Sequence, residues 1–247
     1  MDDNLLPHFD DLARKACRQG RAVSGFLSPA EQTLVTQHFA RRRDVNVTFE
    51  GGFPGAVRAA AVLTESDWGD VGDPGALLAC IKVDHRPQDE IGHRDILGAL
   101  MALGVERRAV GDIIAGGPPA YFLCRRTLSR FFLDQIVRIG RAGAALSEVP
   151  LSEIPIRADT LRAKTVSVSS PRLDTLVSGA FGLAREKAAS LIEGGLVSVN
   201  HLPCEKPDKH VAEGDLLSLR GRGRARVLSV GGLSRKGRIF VELGIYE

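Results

Sequence analysis

An α+β fold in three parts is the architecture this sequence predicts, on three observations. The front stretch sets helix-like segments beside alternating apolar strands, and the middle reads as a β-α-β-β-α-β succession. The rear carries two short amphipathic helices followed by an arginine-rich strand. The 247 residues, 44 % of them hydrophobic, suffice for two or three small cores and are too apolar for a disordered chain. Composition and turn signals divide the chain into an α+β domain over 1–75, a second domain over 76–164 and a third over 165–247.

In the front part, Asn4 to Cys17 is weakly amphipathic, and Ser28-Pro29-Ala30-Glu31 is a capping box opening a helix through about Phe39. Arg41-Arg42-Arg43 closes that helix, where cations complement the helix dipole, with contact to RNA as the alternative reading. Val45 to Phe49 alternates as a strand, Gly51-Gly52-Phe53-Pro54-Gly55 turns the chain before Ala59 to Leu63, and Asp67 to Gly75 reads as a linker. In the middle part, Leu77 to Val83 is a strand and Arg94 to Leu103 a helix with Gly104 behind it. Gly111 to Ala115 and Ala120 to Cys124 are strands joined by Gly116-Gly117-Pro118-Pro119; a helix from about Leu128 to Ile139 and a strand from Ala144 to Val149 follow. That order matches a ferredoxin-like sheet with both helices on one face. RNA-recognition modules share the topology, but only Tyr121 and Phe122 lie on its central strands as stacking aromatics, so shape or phosphate reading is the most expected of it.

In the rear part, Ser170 is placed to cap a helix with Pro171 at its first position, and Leu173, Leu176 and Val177 recur on one face. A second helix buries Ala188, Leu191 and Ile192 and ends at Gly194-Gly195 before a strand from Leu196 to Val199. Arg172, Arg185 and Lys187 are left to solvent. From Arg220 to Val241 the chain has seven Lys or Arg and no Asp or Glu. Alternation puts Arg220, Arg222, Arg224 and Arg226 on one face of a strand, with Arg235 and Lys236 beyond. A strand edge charged against aggregation is the alternative reading of that run. Asn200 and the pair Gly214-Asp215 mark turns.

The segments Ser169 to Asp174, Ala184 to Asn200 and Gly214-Asp215 resemble an S4 (αL) RNA-binding domain, with Ala184 where that family usually has Ser. The resemblance implies RNA contacts through Ser170, Arg172, Arg185, Lys187, Asn200, Arg220, Arg222, Arg224, Arg226, Arg235 and Lys236. Further upstream, Gly92-His93-Arg94-Asp95-Ile96-Leu97-Gly98-Ala99-Leu100, Leu103 to Arg108, Val110-Gly111-Asp112-Ile113 and Gly51-Gly52-Phe53 resemble the YlmH family, also called photosystem II S4 domain proteins. This similarity runs from about Pro29 to the C-terminus and implies an N-terminal α+β domain, a ferredoxin-like middle domain and a C-terminal S4 domain. It also implies a ribosome-associated role in which the S4 domain binds the large subunit near peptidyl-tRNA and supports rescue of stalled chains. Other members are linked to cell division or to plastids.

Charge agrees with a polyanionic partner: residues 1–75 hold 8 basic against 11 acidic side chains, 76–164 hold 13 against 10, and 165–247 hold 12 against 9. The expected partners are structured RNA (large-subunit rRNA and tRNA) and the ribosome, with a protein partner for the acidic N-terminal domain. Cys17, Cys80, Cys124 and Cys204 lack ligand spacing, so buried free thiols, no metal and no cofactor are expected. Met1-Asp2-Asp3-Asn4 is acidic where a signal peptide is basic, and no apolar run reaches membrane-spanning length, which points to the cytoplasm and away from membranes. His93-Arg94-Asp95 copies a kinase triplet without the glycine loop or Asp-Phe-Gly. Arg172-Leu173-Asp174 imitates the catalytic segment of pseudouridine synthases, and such an RNA-modifying enzyme is the alternative to a non-catalytic RNA-binding protein.

Overall fold

The computed structural model describes residues 4–66, 73–155, 160–233 and 237–246. Its contacts group into two compact units, Met1–Ile156 and Arg157–Glu247. Among the described residues the first unit contains two larger sheets and a two-stranded ribbon. Helix α1 (Leu5–Gln19) and α2 (Pro29–Phe39) pack beside a three-stranded antiparallel sheet, ordered β1-β3-β2, of β1 (Arg21–Leu27), β2 (Val45–Glu50) and β3 (Ala59–Glu65). The capping box forms as its sequence dictates: the Ser28 amide donates to Glu31 at 2.7 Å and the Glu31 amide to the Ser28 hydroxyl at 3.4 Å. Strand β1 carries no turn signal in the sequence, and it forms because Ala22 and Leu27 complete a core with Leu5, Phe9 and Leu63.

The second sheet begins after a single helical turn, α3 (Pro74–Leu77), which Asp73 caps by accepting from the Gly75 amide at 2.9 Å. Residues 67–72 of the expected linker lie outside the described residues. The sheet holds β4 (Leu78–Asp84), β5 (Val110–Ile114), β6 (Ala120–Arg125) and β9 (Ala145–Val149) in the order β5-β6-β4-β9, every neighbour antiparallel. Helices α4 (His93–Ala102) and α5 (Arg126–Gln135) cover one face with Ile96, Leu100 and Phe132. This is the ferredoxin-like arrangement. Helix α5 stops earlier than its apolar pattern implies, because the chain turns at Gly140 (φ 59°) to pair β7 (Arg138–Ile139) with β8 (Ala142–Gly143).

The sheet's other face is occupied. Tyr121, Leu123, Leu78 and Cys80 pack there against Phe26 and Ala60 of the N-terminal layer, so no stacking aromatic of the central strands is open to a base. Two glycines explain the fit: a Cβ on Gly111, in the Val110–Ile113 motif, would lie 2.6 Å from the Phe26 ring, and one on Gly25 of β1 would lie 2.7 Å from the Arg108 carbonyl oxygen. Asp112 accepts from the Val57 and Arg58 amides at 2.6 and 3.0 Å, and the Arg58 guanidinium donates to the Phe26 carbonyl at 2.9 Å. Arg107 donates to the Val110 carbonyl, Arg108 pairs with Glu31 at 3.4 Å and Arg126 with Glu148 at 2.7 Å. These arginines hold the two layers and the sheet together. Cys80 and Cys124 are buried, which pushes their thiols up to about 12, whereas Cys17 is exposed, unlike the buried thiol expected of it.

In the second unit, β10 (Leu161–Val168) starts a six-stranded antiparallel sheet. Helices α6 (Leu173–Phe181) and α7 (Arg185–Glu193) follow, then β11 (Val197–Val199), β12 (Leu202–Pro203), β13 (Leu216–Leu219), β14 (Gly223–Leu233) and β15 (Ile239–Tyr246), with sheet order β10-β15-β14-β13-β11-β12. Leu173, Leu176, Val177, Ala188 and Ile192 of the helix pair pack on Val197, Leu217, Ala225 and Leu243. β10 pairs with β15 over all its eight residues and so continues across position 164/165.

Candidate nucleic-acid interface

Ser170 does not cap α6. The first helical turn is reached from Arg172 at extended dihedrals, and no side chain caps it. The reason is a competing pairing: the Leu173 and Asp174 amides donate to the Lys209 and Pro207 carbonyls, both at 2.9 Å, and the Val211 amide donates to the Pro171 carbonyl. With these donors satisfied across the chain, the Ser170 hydroxyl has no orphan amide to serve. Helix α7 starts from Ala184 with no side-chain cap, as expected of an Ala there.

Arg172 and Arg185 converge on one carboxylate. Asp174, 4 % exposed, takes Arg172 Nε on Oδ1 at 3.1 Å and Arg172 Nη2 on Oδ2 at 3.2 Å, while Arg185 Nε reaches Oδ2 at 2.9 Å. Burial alone would raise the Asp174 carboxyl, but the hydrogen bonds and charges of Arg172 and Arg185 outweigh it and hold the group below the usual carboxylate range. The internal anion thus fixes two guanidinium groups whose outer edges stay in water, with side chains 37 % and 56 % exposed. Exposed Lys187 lies in the first turn of α7, two residues after Arg185. A buried, doubly ion-paired Asp174 is a structural anchor and is poorly suited to nucleophilic attack.

The four arginines divide between two elements. Arg220 and Arg222 lie in the turn joining β13 to β14, and only Arg224 and Arg226 share a strand face. The turn arises because Gly221 (φ 78°) reverses the chain, with the Arg222 amide donating to the Leu219 carbonyl at 3.0 Å. All four side chains are exposed. Arg224 stacks 4.4 Å from the Tyr246 ring centroid, and Arg226 Nε donates to the Tyr246 hydroxyl at 3.1 Å, so one aromatic side chain aligns both cations. Their charge, after burial as the larger cause, pushes the neighbouring His201 imidazole down.

Asn200 is a turn residue by its bonds. At φ 50° its side chain donates to Asp215 at 2.7 Å and accepts from the Leu216 amide at 2.9 Å, and Asp215 accepts from the Ala212 amide. Arg235 and Lys236 lie outside the described residues. Three residues of this unit escaped sequence reasoning: Tyr246 behind the arginines, and Arg162 and Lys164 on β10. The last two alternate along a strand, a signal hidden by placing a domain boundary after Lys164. No His, Cys, Asp or Glu cluster fit for a metal exists among the described residues. In the middle sheet, the carboxyl of Glu148 is held low, first by the Ser129 hydroxyl and then by Arg126, which makes it an ion-pair partner rather than a proton acceptor.

A helix pair with outward cations, backed by a sheet whose hairpin carries arginines, defines an S4-type RNA-binding protein. A profile described as the S4 domain matches residues 171–217, and another described as "Putative RNA-binding domain in YlmH" matches residues 79–153. The chain is 31 % identical over 222 residues to the Ribosome-associated protein quality control protein P2 of Bacillus subtilis (strain 168), covering 87 % of this chain and 83 % of that protein. It belongs to the YlmH family of S4-domain proteins. Its fold is also similar to that of the Cell division protein ylmH from Streptococcus pneumoniae, with a TM-score of 0.54 at 18 % identity over 62 % of this chain and 93 % of that one. Among the described residues no helix is long and apolar enough to cross a membrane.

Proposed function

We propose that this protein is a non-catalytic, cytoplasmic RNA-binding factor that docks on the ribosome, holding structured RNA of the large subunit and tRNA through its C-terminal unit. The observation that carries the reading is the cation set of Arg172, Arg185, Lys187, Arg220, Arg222, Arg224 and Arg226, displayed by two helix starts and one hairpin in a unit of net charge +5, 15 basic against 10 acidic residues over 157–247. The ribosome-associated relative supports the target. The occupied face of the middle sheet supports assigning base and phosphate contacts to the C-terminal unit, and the acidic N-terminal layer is the part suited to a protein partner. The engaged state of Asp174 and Glu148 favours binding without catalysis.

The test is co-sedimentation with purified large ribosomal subunits across a salt series. Because phosphate contacts release counterions, the log-log slope of affinity against salt is expected on the order of −3 to −6. A Lys187→Glu/Arg220→Glu/Arg222→Glu variant should lose sedimentation while its stability stays within about 0.5 kcal/mol of wild type, since these side chains are exposed. A wild-type slope near zero, or a variant that sediments normally, removes the reading.

A further inference from the structure

On the helix side of the C-terminal sheet, four elements enclose an open groove of about 620 Å³ that lies outside the residues expected to bind RNA, apart from Arg222. Strand β10 supplies Arg162 and Lys164, the end of α6 supplies Phe181 and Gly182, β15 supplies Ile245, and the β13–β14 turn supplies Arg222. Register explains the convergence. Val166 packs directly under α6, so closely that a Cβ on Gly179 would lie 2.6 Å from its Cγ1. Lys164 and Arg162 continue the same face of β10 past the last turn of the helix, opposite Leu243 and Ile245. Side chains two apart on a strand are about 7 Å apart, so the two cations form a short row along the groove.

We propose that this groove is a second RNA subsite, taking the phosphodiester backbone of a strand that continues from the helix-start cations, with Phe181 as an apolar support for a base. The inference rests on the RNA-binding reading above. A helix C-terminus carries only about half a negative charge, so complementing its dipole does not account for Lys164 and Arg222 together. None of the groove's described lining residues is acidic. The nine-residue helix α6 is about 13 Å long, so the groove at its end and the Arg172–Arg185 pair at its start lie within reach of one short RNA segment. A half-buried aromatic beside basic side chains fits a nucleic-acid strand, whose bases stack in a sequence-tolerant way.

The experiment measures binding of the full chain to deproteinised large-subunit ribosomal RNA at several salt concentrations. Arg162→Gln/Lys164→Gln should weaken binding about tenfold near physiological salt and reduce the magnitude of the salt slope by about 1.5 to 2, the contribution of two phosphate contacts. Arg162→Lys/Lys164→Arg, which keeps both charges, should restore affinity and slope. Should the Gln pair lower the unfolding temperature, Lys164→Gln alone should still lower the slope by about 1. Unchanged affinity and slope in the Gln variants overturns the subsite while leaving the wild-type reading intact; absence of salt-dependent binding by wild type removes both. If poly-glutamate displaces wild type from the RNA in competition but fails to displace the Gln pair, the groove takes acidic protein and the proposal falls.

Discussion

Asp174 sits between Arg172 and Arg185, and its two oxygens set the direction of both guanidinium groups. A planar guanidinium bound edge-on to a carboxylate keeps its remaining N–H groups pointed outward in a fixed fork. Asp174→Asn should therefore weaken RNA binding although it removes a negative charge from a surface that attracts a polyanion; tighter binding would show that charge alone governs the site. Stability follows the same group. Its folded-state pKa is depressed, so its contribution is present above the unfolded value of about 3.9 and is lost as pH falls through the lower folded value. The Asn variant should be less stable by roughly 1–2 kcal/mol at neutral pH, and the gap to wild type should close as pH drops below about 4 in urea titrations. A gap that does not narrow as pH falls below about 4 would place its cause elsewhere. The pairing also changes what charge reversal does: a Glu at 172 or 185 would face a buried carboxylate, so it would cost more than the half kcal/mol of an ordinary exposed change.

Among elements, the seam inside the first unit and the edge strand of the second carry the clearest consequences. Gly111→Ala drives a methyl group into the Phe26 ring at 2.6 Å, contact that neither the buried ring nor strand β5 can relieve without moving. A loss of about 1–3 kcal/mol is expected in the first unit by thermal unfolding, with RNA binding through the second unit retained. Strand β10 pairs with β15 from Leu161 to Val168, so a fragment starting at Thr165 discards half of those pairs together with Lys164 and Arg162. A fragment of residues 157–247 should unfold cooperatively and keep most of the affinity for ribosomal RNA, whereas one of 165–247 should melt at lower temperature and bind more weakly. Equal melting of the two fragments would show that the first half of β10 adds nothing.

For the whole molecule, the division at Arg157 sharpens the charge asymmetry: 18 basic against 20 acidic residues over 1–156, and 15 against 10 over 157–247. Net charge of opposite sign in the two units favours one surface for a polyanion and disfavours the other. RNA affinity and its salt dependence should accordingly travel with residues 157–247, while a fragment of residues 1–156 should show little of either at physiological salt. Comparable binding by that N-terminal fragment would relocate the interface to the middle sheet.

Local rules were enough for the helix pair, the succession of strands and helices in the middle part and the capping box at Ser28, because each depends on side chains within a few positions of one another. The arginine enrichment from Arg220 to Arg226 was likewise plain, but its division into a turn and a strand was not, since that division depends on β13 pairing with β14 across Gly221. Ser170 failed as a cap because residues 207–211, far along the chain, satisfied the amides first. The same holds for the site. Composition disclosed that the C-terminal part is cationic, whereas the anchoring of Arg172 and Arg185 on Asp174, the alignment of Arg224 and Arg226 on Tyr246 and the groove beside Arg162 and Lys164 exist only once distant strands are brought together. Hydrogen bonds and ion pairs act over a few ångströms, and sequence separation does not set that distance until the sheet has formed.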